Sequence, residues 1–318
     1  MNTNLSTEGS PVSSVRSEAT IHGLVPILAT PFQPDGQLDL PSLRRLVEFQ
    51  LESEVDGVAV FGMASEAFAL TREDRQTILA TVTDVVGGQI PIVAGVNATS
   101  TQTALELLRD VQEHAASLMV LPPFMVKPTP AQLVDFYSEV AQVAAGFDTE
   151  VMVQDAPGAT GVSMTPQLIG ELSTLTNVTS VKVEAPPTAP KVTAVKAALR
   201  DPAFAILGGH NSQFVLDEYS RGAIGTMPAC EFVDVLGPVL TAWQSGRTEE
   251  AWAGFARLMP LIVFGLQQGI AWAVHKEVLV ARGIIEHASV RSPAQNLDAT
   301  GRKSLEAVLA NLPLSRRS

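Results

Sequence analysis

From Gly23 onward, short apolar runs alternate with longer amphipathic stretches, and the alternation repeats eight times. The apolar runs begin at Leu24 (LVPILATP), Gly57 (GVAVFG), Ile90 (IPIVAGV), Ser117 (SLMVLPP), Glu150 (EVMVQDAP), Val178 (VTSVKVE), Phe204 (FAILGG) and Ala223 (AIGTMPA). Each is rich in Val, Ile or Ala and closes on Gly, Pro or a polar residue, as a strand buried on both faces does. The stretches between them, such as Leu40 to Ser53, Arg72 to Val86, Thr101 to Ala115 and Pro130 to Gly146, are long enough for helical crossovers. The segments Thr71 to Asp74 and Ser163 to Pro166 supply helix-start signals, a cap residue or an N1 proline, and Leu105, Leu108 and Val111 read as the burial stripe of one helix. A repeat of about 28 residues, eight times over, predicts a (β/α)8 barrel. A doubly wound sheet competes, but no G-x-G-x-x-G opens the first crossover. The short interval before the eighth run leaves room only for a small helix near Leu216 to Arg221.

Beyond Val233 the helical pattern continues through Leu236 to Ser245, Thr248 to Leu266, Gly269 to Arg282 and Gly301 to Leu312. The first completes the barrel, and the others exceed what a closed barrel needs. The expected organisation is a flexible tail over residues 1–20, a barrel over residues 21–245 and a helical extension over residues 246–318 packed on it. The Ser/Thr-rich tail has neither the basic nor the apolar region of a secretory signal. No run reaches the roughly 18 to 20 apolar residues of a membrane span. Against 21 basic residues stand 33 acidic ones, a net charge of −12 that repels phosphate backbones and anionic lipid, so neither nucleic acid nor a membrane is an expected partner. The lone Cys230 excludes an internal disulfide and a thiolate-rich metal site, and predicts a reducing, cytoplasmic setting. It reads as a small buried hydrophobe.

Catalysis on such a barrel belongs at the carboxyl ends of the strands. Lys182 stands out there, closing the run Val178 to Val181, because a buried ammonium must pair, point outward or do chemistry. A neutral amine at that place can form a Schiff base with a keto group. The alternative is a lysine merely paired with Glu184 or Asp155. Ser65 either caps a helix or binds a carboxylate, Glu66 reads as structural, bonding to loop amides or bracing neighbouring strands, and His210 either meets a ligand or faces solvent. His22, His114, His275 and His287 lie away from the strand ends with no metal-ligand spacing, so no metal site is expected.

The motifs P-I-L-A-T-P-F, D-G-V-A-V-F-G-M-A-S-E-A-F-A-L-T-R-E-D-R, P-G-A-T-G-V, V-T-S-V-K and G-A-I-G-T-M stand in the order found in the dihydrodipicolinate synthase/N-acetylneuraminate lyase superfamily, which this sequence resembles over roughly residues 21 to 290. The resemblance implies a class I lyase whose Schiff-base lysine is Lys182, and a homotetramer of two close dimers. Departures matter too. Met63 and Ala64 stand where the family carries paired threonines, leaving Ser65 and nearby amides for the substrate carboxylate. Pro123, Phe124 and Gln154 stand where it carries tyrosines, which argues against a synthase or a sialic acid lyase.

The segments V-M-V-Q-D-A-P and K-V-E-A-P-P are closer to the branch containing L-2-keto-3-deoxyarabonate dehydratase. The expected activity is therefore dehydration of a 2-keto-3-deoxy sugar acid through a covalent imine, with no cofactor or metal. The alternatives are an aldolase using the same imine and a non-catalytic barrel that binds a keto acid. The expected catalytic set is Lys182, Glu184 and Asp155; the expected substrate contacts are Ala64, Ser65, Glu66, Phe124, Gln154, His210 and Met227.

Overall fold

The computed structural model describes residues 21–312 and 314–316, so the tail expected over residues 1–20 lies outside it. Each apolar run contains a strand: β1 (Gly23–Leu24), β2 (Val58–Val60), β3 (Ile92–Val96), β4 (Ser117–Val120), β5 (Glu150–Asp155), β6 (Val178–Val183), β7 (Ala205–Gly208) and β8 (Gly225–Thr226). They are parallel and hydrogen-bonded in the order β1-β8-β7-β6-β5-β4-β3-β2. Ile27 bridges both Ala59 and Ala229, which closes the ring between the first strand and the second. Pro26 and Pro228 carry no N–H, so the ladders beside β1 and β8 are interrupted there. Single bonds continue past them, from Leu28 N to Ala59 O at 2.8 Å and from Ile27 N to Pro228 O at 2.7 Å. The fold is a (β/α)8 barrel.

Helices α1 (Leu40–Glu52), α2 (Arg72–Val86), α3 (Thr101–Val111), α4 (Pro130–Ala145), the single turn α5 (Pro157–Thr160), α6 (Pro166–Leu172), α7 (Thr188–Ala198), the short α8 (Val215–Ser220) and α9 (Val233–Gln244) connect and cover the strands. Thr71 and Asp74 form a reciprocal capping box at α2, and Thr165 caps α6 ahead of Pro166. The stripe on α3 differs from the sequence reading. Ala104, Leu108 and Val111 are its buried residues, and Leu105 is only half-buried. Small Ala104 lets the helix lie close to the sheet, and spacings of four and three then follow the 3.6-residue turn.

Strand alternation makes two cores. Ile27, Ala59, Val93, Met119, Met152, Ala205, Leu207 and Met227 fill the lumen. Val58, Val60, Leu118, Val120, Val153, Val181 and Ile206 face the helices. Register places Gly95, Met119, Met152, Ser180 and Ala205 in one tier of the lumen, and Gln154, Lys182 and Leu207 in the tier above.

Three further helices follow: α10 (Thr248–Phe264), α11 (Ala271–Ala281) and α12 (Ala299–Leu309). Arg282 pairs with Asp234 and donates to the Glu231 carbonyl, while Arg45 Nε donates to the Ile284 carbonyl at 3.2 Å. Leu261 and Ile262 are fully buried in the chain's own packing. Trp252 and Val263 stay half exposed. Among the described residues no helix is long and apolar enough to cross a membrane.

Candidate active site

Lys182 lies near the end of β6 on the face that Ser180 also occupies, since side chains two apart share a face of the strand. The chain is buried, and its Nζ stands 3.3 Å from Glu184 Oε1. Across the ladder its register partner is Gln154, whose Nε2 donates to Glu184 Oε2 at 2.7 Å. The His210 amide donates to Glu184 Oε1 at 3.2 Å. Burial pushes the Glu184 carboxyl up, but the Lys182 ammonium, the Gln154 amide and the His210 N–H together outweigh it and hold the group below its ordinary value. Gln154 Oε1 and, one pleat below the lysine, Ser180 Oγ are buried with no hydrogen-bond partner among the described residues. Lumen polar atoms left in this way are free to receive a ligand's hydroxyl or carboxylate.

The His210 amide is aimed by a strained turn. His210, Asn211 and Ser212 have φ of 51°, 54° and 58°, a left-handed run without glycine that costs on the order of 1 kcal/mol per residue. Asn211 Oδ1 accepts from the Ala229 amide at 2.9 Å, and Ser212 Oγ lies 2.7 Å from Thr226 Oγ1, which ties the turn to the eighth strand. Gly208 and Gly209 precede it because nothing larger fits. A Cβ on Gly209 would meet Glu184 Cγ at 2.4 Å, and one on Gly208 would meet Glu218 Oε2 at 2.0 Å. Glu218 is fully buried on α8 and accepts from the Thr188 hydroxyl. Burial raises its carboxyl to about 7, with help from the charges of Glu184 and Asp217 and against the Thr188 bond.

Three residues expected at the site are committed elsewhere. Asp155 follows Gln154 and so turns outward, toward the helices, where its carboxylate lies 3.1 Å from Lys191 Nζ of α7. Burial raises its pKa and Lys191 opposes the rise. Its carbonyl accepts the Glu184 amide at 2.9 Å, and the Glu184 charge adds to the rise in its pKa. Glu66 is fully buried in an ion pair with Lys276 and accepts the Arg291 amide at 3.0 Å, so it braces the scaffold and does not line the lumen. Phe124 packs on the helix-side core, with its carbonyl bonded to Lys127 Nζ at 2.9 Å. Ala64 and Met227 belong to the lumen cluster. Ser65 is buried, and its Oγ has no partner among the described residues.

Sequence reasoning passed over Asn97. It continues the Val93 face of β3, donates to the Phe61 carbonyl at 2.7 Å and leaves Oδ1 buried and unpartnered. The polar end of IPIVAGVN was the available signal. Neither tyrosine of the chain substitutes for those missing at the strand ends. Tyr137 is buried on α4 with its hydroxyl on the Val120 carbonyl, and Tyr219 lies on α8. Cys230 accepts the Ala29 amide at 3.3 Å, and burial pushes its thiol up to about 12, the behaviour of a packed, inert cysteine.

A closed parallel barrel with a buried lysine and carboxylate at the carboxyl ends of its strands is the architecture of a barrel lyase. The chain belongs to the dihydrodipicolinate synthetase family, whose pattern matches residues 20–312. It is 31% identical to the L-2-keto-3-deoxyarabonate dehydratase of Azospirillum brasilense over 91% of this chain and 94% of that protein. It is 38% identical to the 4-hydroxy-tetrahydrodipicolinate synthase of Stenotrophomonas maltophilia, over 60% of this chain and only 63% of that protein. In structure it is similar to the dihydrodipicolinate synthase of Rhodopseudomonas palustris, with a TM-score of 0.86 and 28% identity over 94% of this chain and all of that one.

Proposed function

We propose that the protein is a Schiff-base-forming lyase that dehydrates a 2-keto-3-deoxy sugar acid, of the L-2-keto-3-deoxyarabonate type, to a keto-acid semialdehyde. The observation that carries this reading is the buried Lys182–Glu184–Gln154 arrangement, in which a glutamine stands beside the lysine where the family resemblance leads one to expect a tyrosine. The similarity to a dehydratase over most of both chains supports it further.

In this reading the Lys182 ammonium gives up a proton, its amine adds to the C2 ketone, and the ketone oxygen leaves as water with two of the former ammonium protons, giving an iminium that acidifies the C3 hydrogens. Glu184, the carboxylate against Nζ, accepts one C3 proton, and the electron pair left behind forms the C2–C3 double bond of an enamine. The enamine then pushes out the C4 hydroxyl, which leaves as water when the proton on Glu184 is returned to it. Transfer of a C5 proton to C3 leaves an enol across C4 and C5, and loss of its hydroxyl proton with protonation at C4 gives the aldehyde. Hydrolysis takes up the water lost in forming the imine and frees Lys182, so the net change is loss of one water. Gln154 holds Glu184 in place and offers its free Oε1 to a substrate hydroxyl, while Ser65 receives the C1 carboxylate. No cofactor or metal enters the scheme.

The test is a product assay over L- and D-2-keto-3-deoxypentonates, 2-keto-3-deoxyhexonates, and pyruvate with short aldehydes. The expected result is a semialdehyde from a 2-keto-3-deoxypentonate with little free pyruvate. Stoichiometric pyruvate without semialdehyde would replace dehydration by aldol cleavage.

A further inference from the structure

The turn that carries Ser65 does not stand on the barrel alone. Two short 3-10 turns, Met63–Ser65 and Ala67–Ala69, follow β2, and Glu66 joins them with a φ of 55° that side-chain-bearing residues rarely adopt. The Met63, Ser65 and Ala69 carbonyls and the Glu66 carboxylate are each met by a part of the chain outside this joint. Trp272 Nε1 of α11 donates to the Met63 carbonyl at 2.6 Å, and its ring packs edge-on against Phe68 with centroids 4.9 Å apart. Thr30 Oγ1 donates to the Ser65 carbonyl at 2.7 Å. Lys276, also on α11 and fully buried, pairs with Glu66, donates to the Ser289 carbonyl at 2.7 Å and lies 4.3 Å from the Phe32 ring centre. Arg291 gives its amide to Glu66, its guanidinium to the Ala69 carbonyl and to Asp74, and its Cζ lies 4.3 Å from the Phe32 ring centre.

A helix added after barrel closure therefore reaches back to the second strand end and grips the segment where a carboxylate would bind. Trp272 and Lys276 lie one turn apart on α11, four residues, so they present to the same side. Burying the Lys276 charge is costly, and here the Glu66 carboxylate and the Ser289 carbonyl offset it.

We propose that Trp272 and Lys276 are positioning residues of the substrate site: from outside the barrel they fix the Met63–Glu66 turn so that Ser65 meets the carboxylate of a 2-keto acid. The C-terminal extension is thus part of the binding apparatus. This rests on the Schiff-base reading above, from which the test separates it.

The experiment measures the pyruvate concentration giving half-maximal borohydride-dependent labelling of Lys182. It uses wild-type protein, Trp272→Phe, and the paired substitution Glu66→Gln with Lys276→Met, which removes both charges together so that neither is left unpaired. Trp272→Phe keeps the aromatic contact and deletes one hydrogen bond. It is expected to raise the half-saturating pyruvate about fivefold while the labelling rate at saturation stays within about twofold. The paired substitution is expected to shift it in the same direction. An unchanged half-saturation in either folded variant, or a fall in the saturated rate alone, would overturn the proposal. Absence of labelling in the wild type would instead remove the Schiff-base reading, and the positioning role would fall with it.

Discussion

Glu184 makes its contacts through both carboxylate oxygens, one with Lys182 and the His210 amide, the other with Gln154, so its charge and its geometry are separable by mutation. Glu184→Gln keeps the size and an acceptor but removes the base. Turnover of the preferred keto acid is expected to fall by about 10²- to 10⁴-fold, while pyruvate still labels Lys182 under borohydride. Loss of labelling with retained turnover would contradict the role. Glu218 makes a second prediction. Its folded-state value of about 7 lies above its unfolded one of 4.5, so the folded state binds the extra proton between the two. Stability from this group is complete below pH 4.5 and declines as pH rises through 7, a loss of roughly 3 kcal/mol at alkaline pH. Glu218→Gln should therefore raise the melting temperature more at pH 8 than at pH 5, measured by thermal denaturation in matched buffers. Lys182 and Glu184 were legible in sequence because residues two apart share a strand face. The same rule places Asp155 outward beside inward Gln154, and strand-end position alone concealed that. The bracing role of Glu66 could be read from sequence, but its inclusion among the substrate contacts fails, because its partners Lys276 and Arg291 lie over 200 positions away.

At the scale of elements, the eight strands and the main crossovers could be read from apolar runs and cap residues, whereas the exact ladders of β1 and β8 depended on where Pro26 and Pro228 fall. The α3 stripe was misjudged because large residues were weighed over Ala104, and a close helix–sheet approach favours the small one. Gly170 shows the same principle in a helix pair. It lies in α6 against the end of α7, and a Cβ there would stand 2.2 Å from the Ala198 carbonyl oxygen, a backbone atom with little freedom to yield. Gly170→Ala is expected to destabilise the fold by about 1–3 kcal/mol despite the better helix propensity of alanine, as read by urea denaturation. Equal or greater stability would show that α6 and α7 can separate.

For the whole molecule, the extra helices are tied to the barrel by Trp272, Lys276, Arg282 and Arg291, a pattern of long-range bonds that no local periodicity announces. We propose a tetramer of two close dimers as the working assembly, on the strength of the family resemblance. Sedimentation at micromolar concentration should give a species well above the 33.7 kDa of one chain, and a monomer would contradict it. The central claim is that Lys182 forms a covalent imine with a 2-keto acid. Its most direct test is the intact mass of the protein after incubation with pyruvate and borohydride, followed by peptide mapping. The account predicts one reduced pyruvyl group per chain, located on Lys182 and absent from Lys182→Ala. An unmodified chain, under conditions that label a known imine-forming lyase, would contradict it.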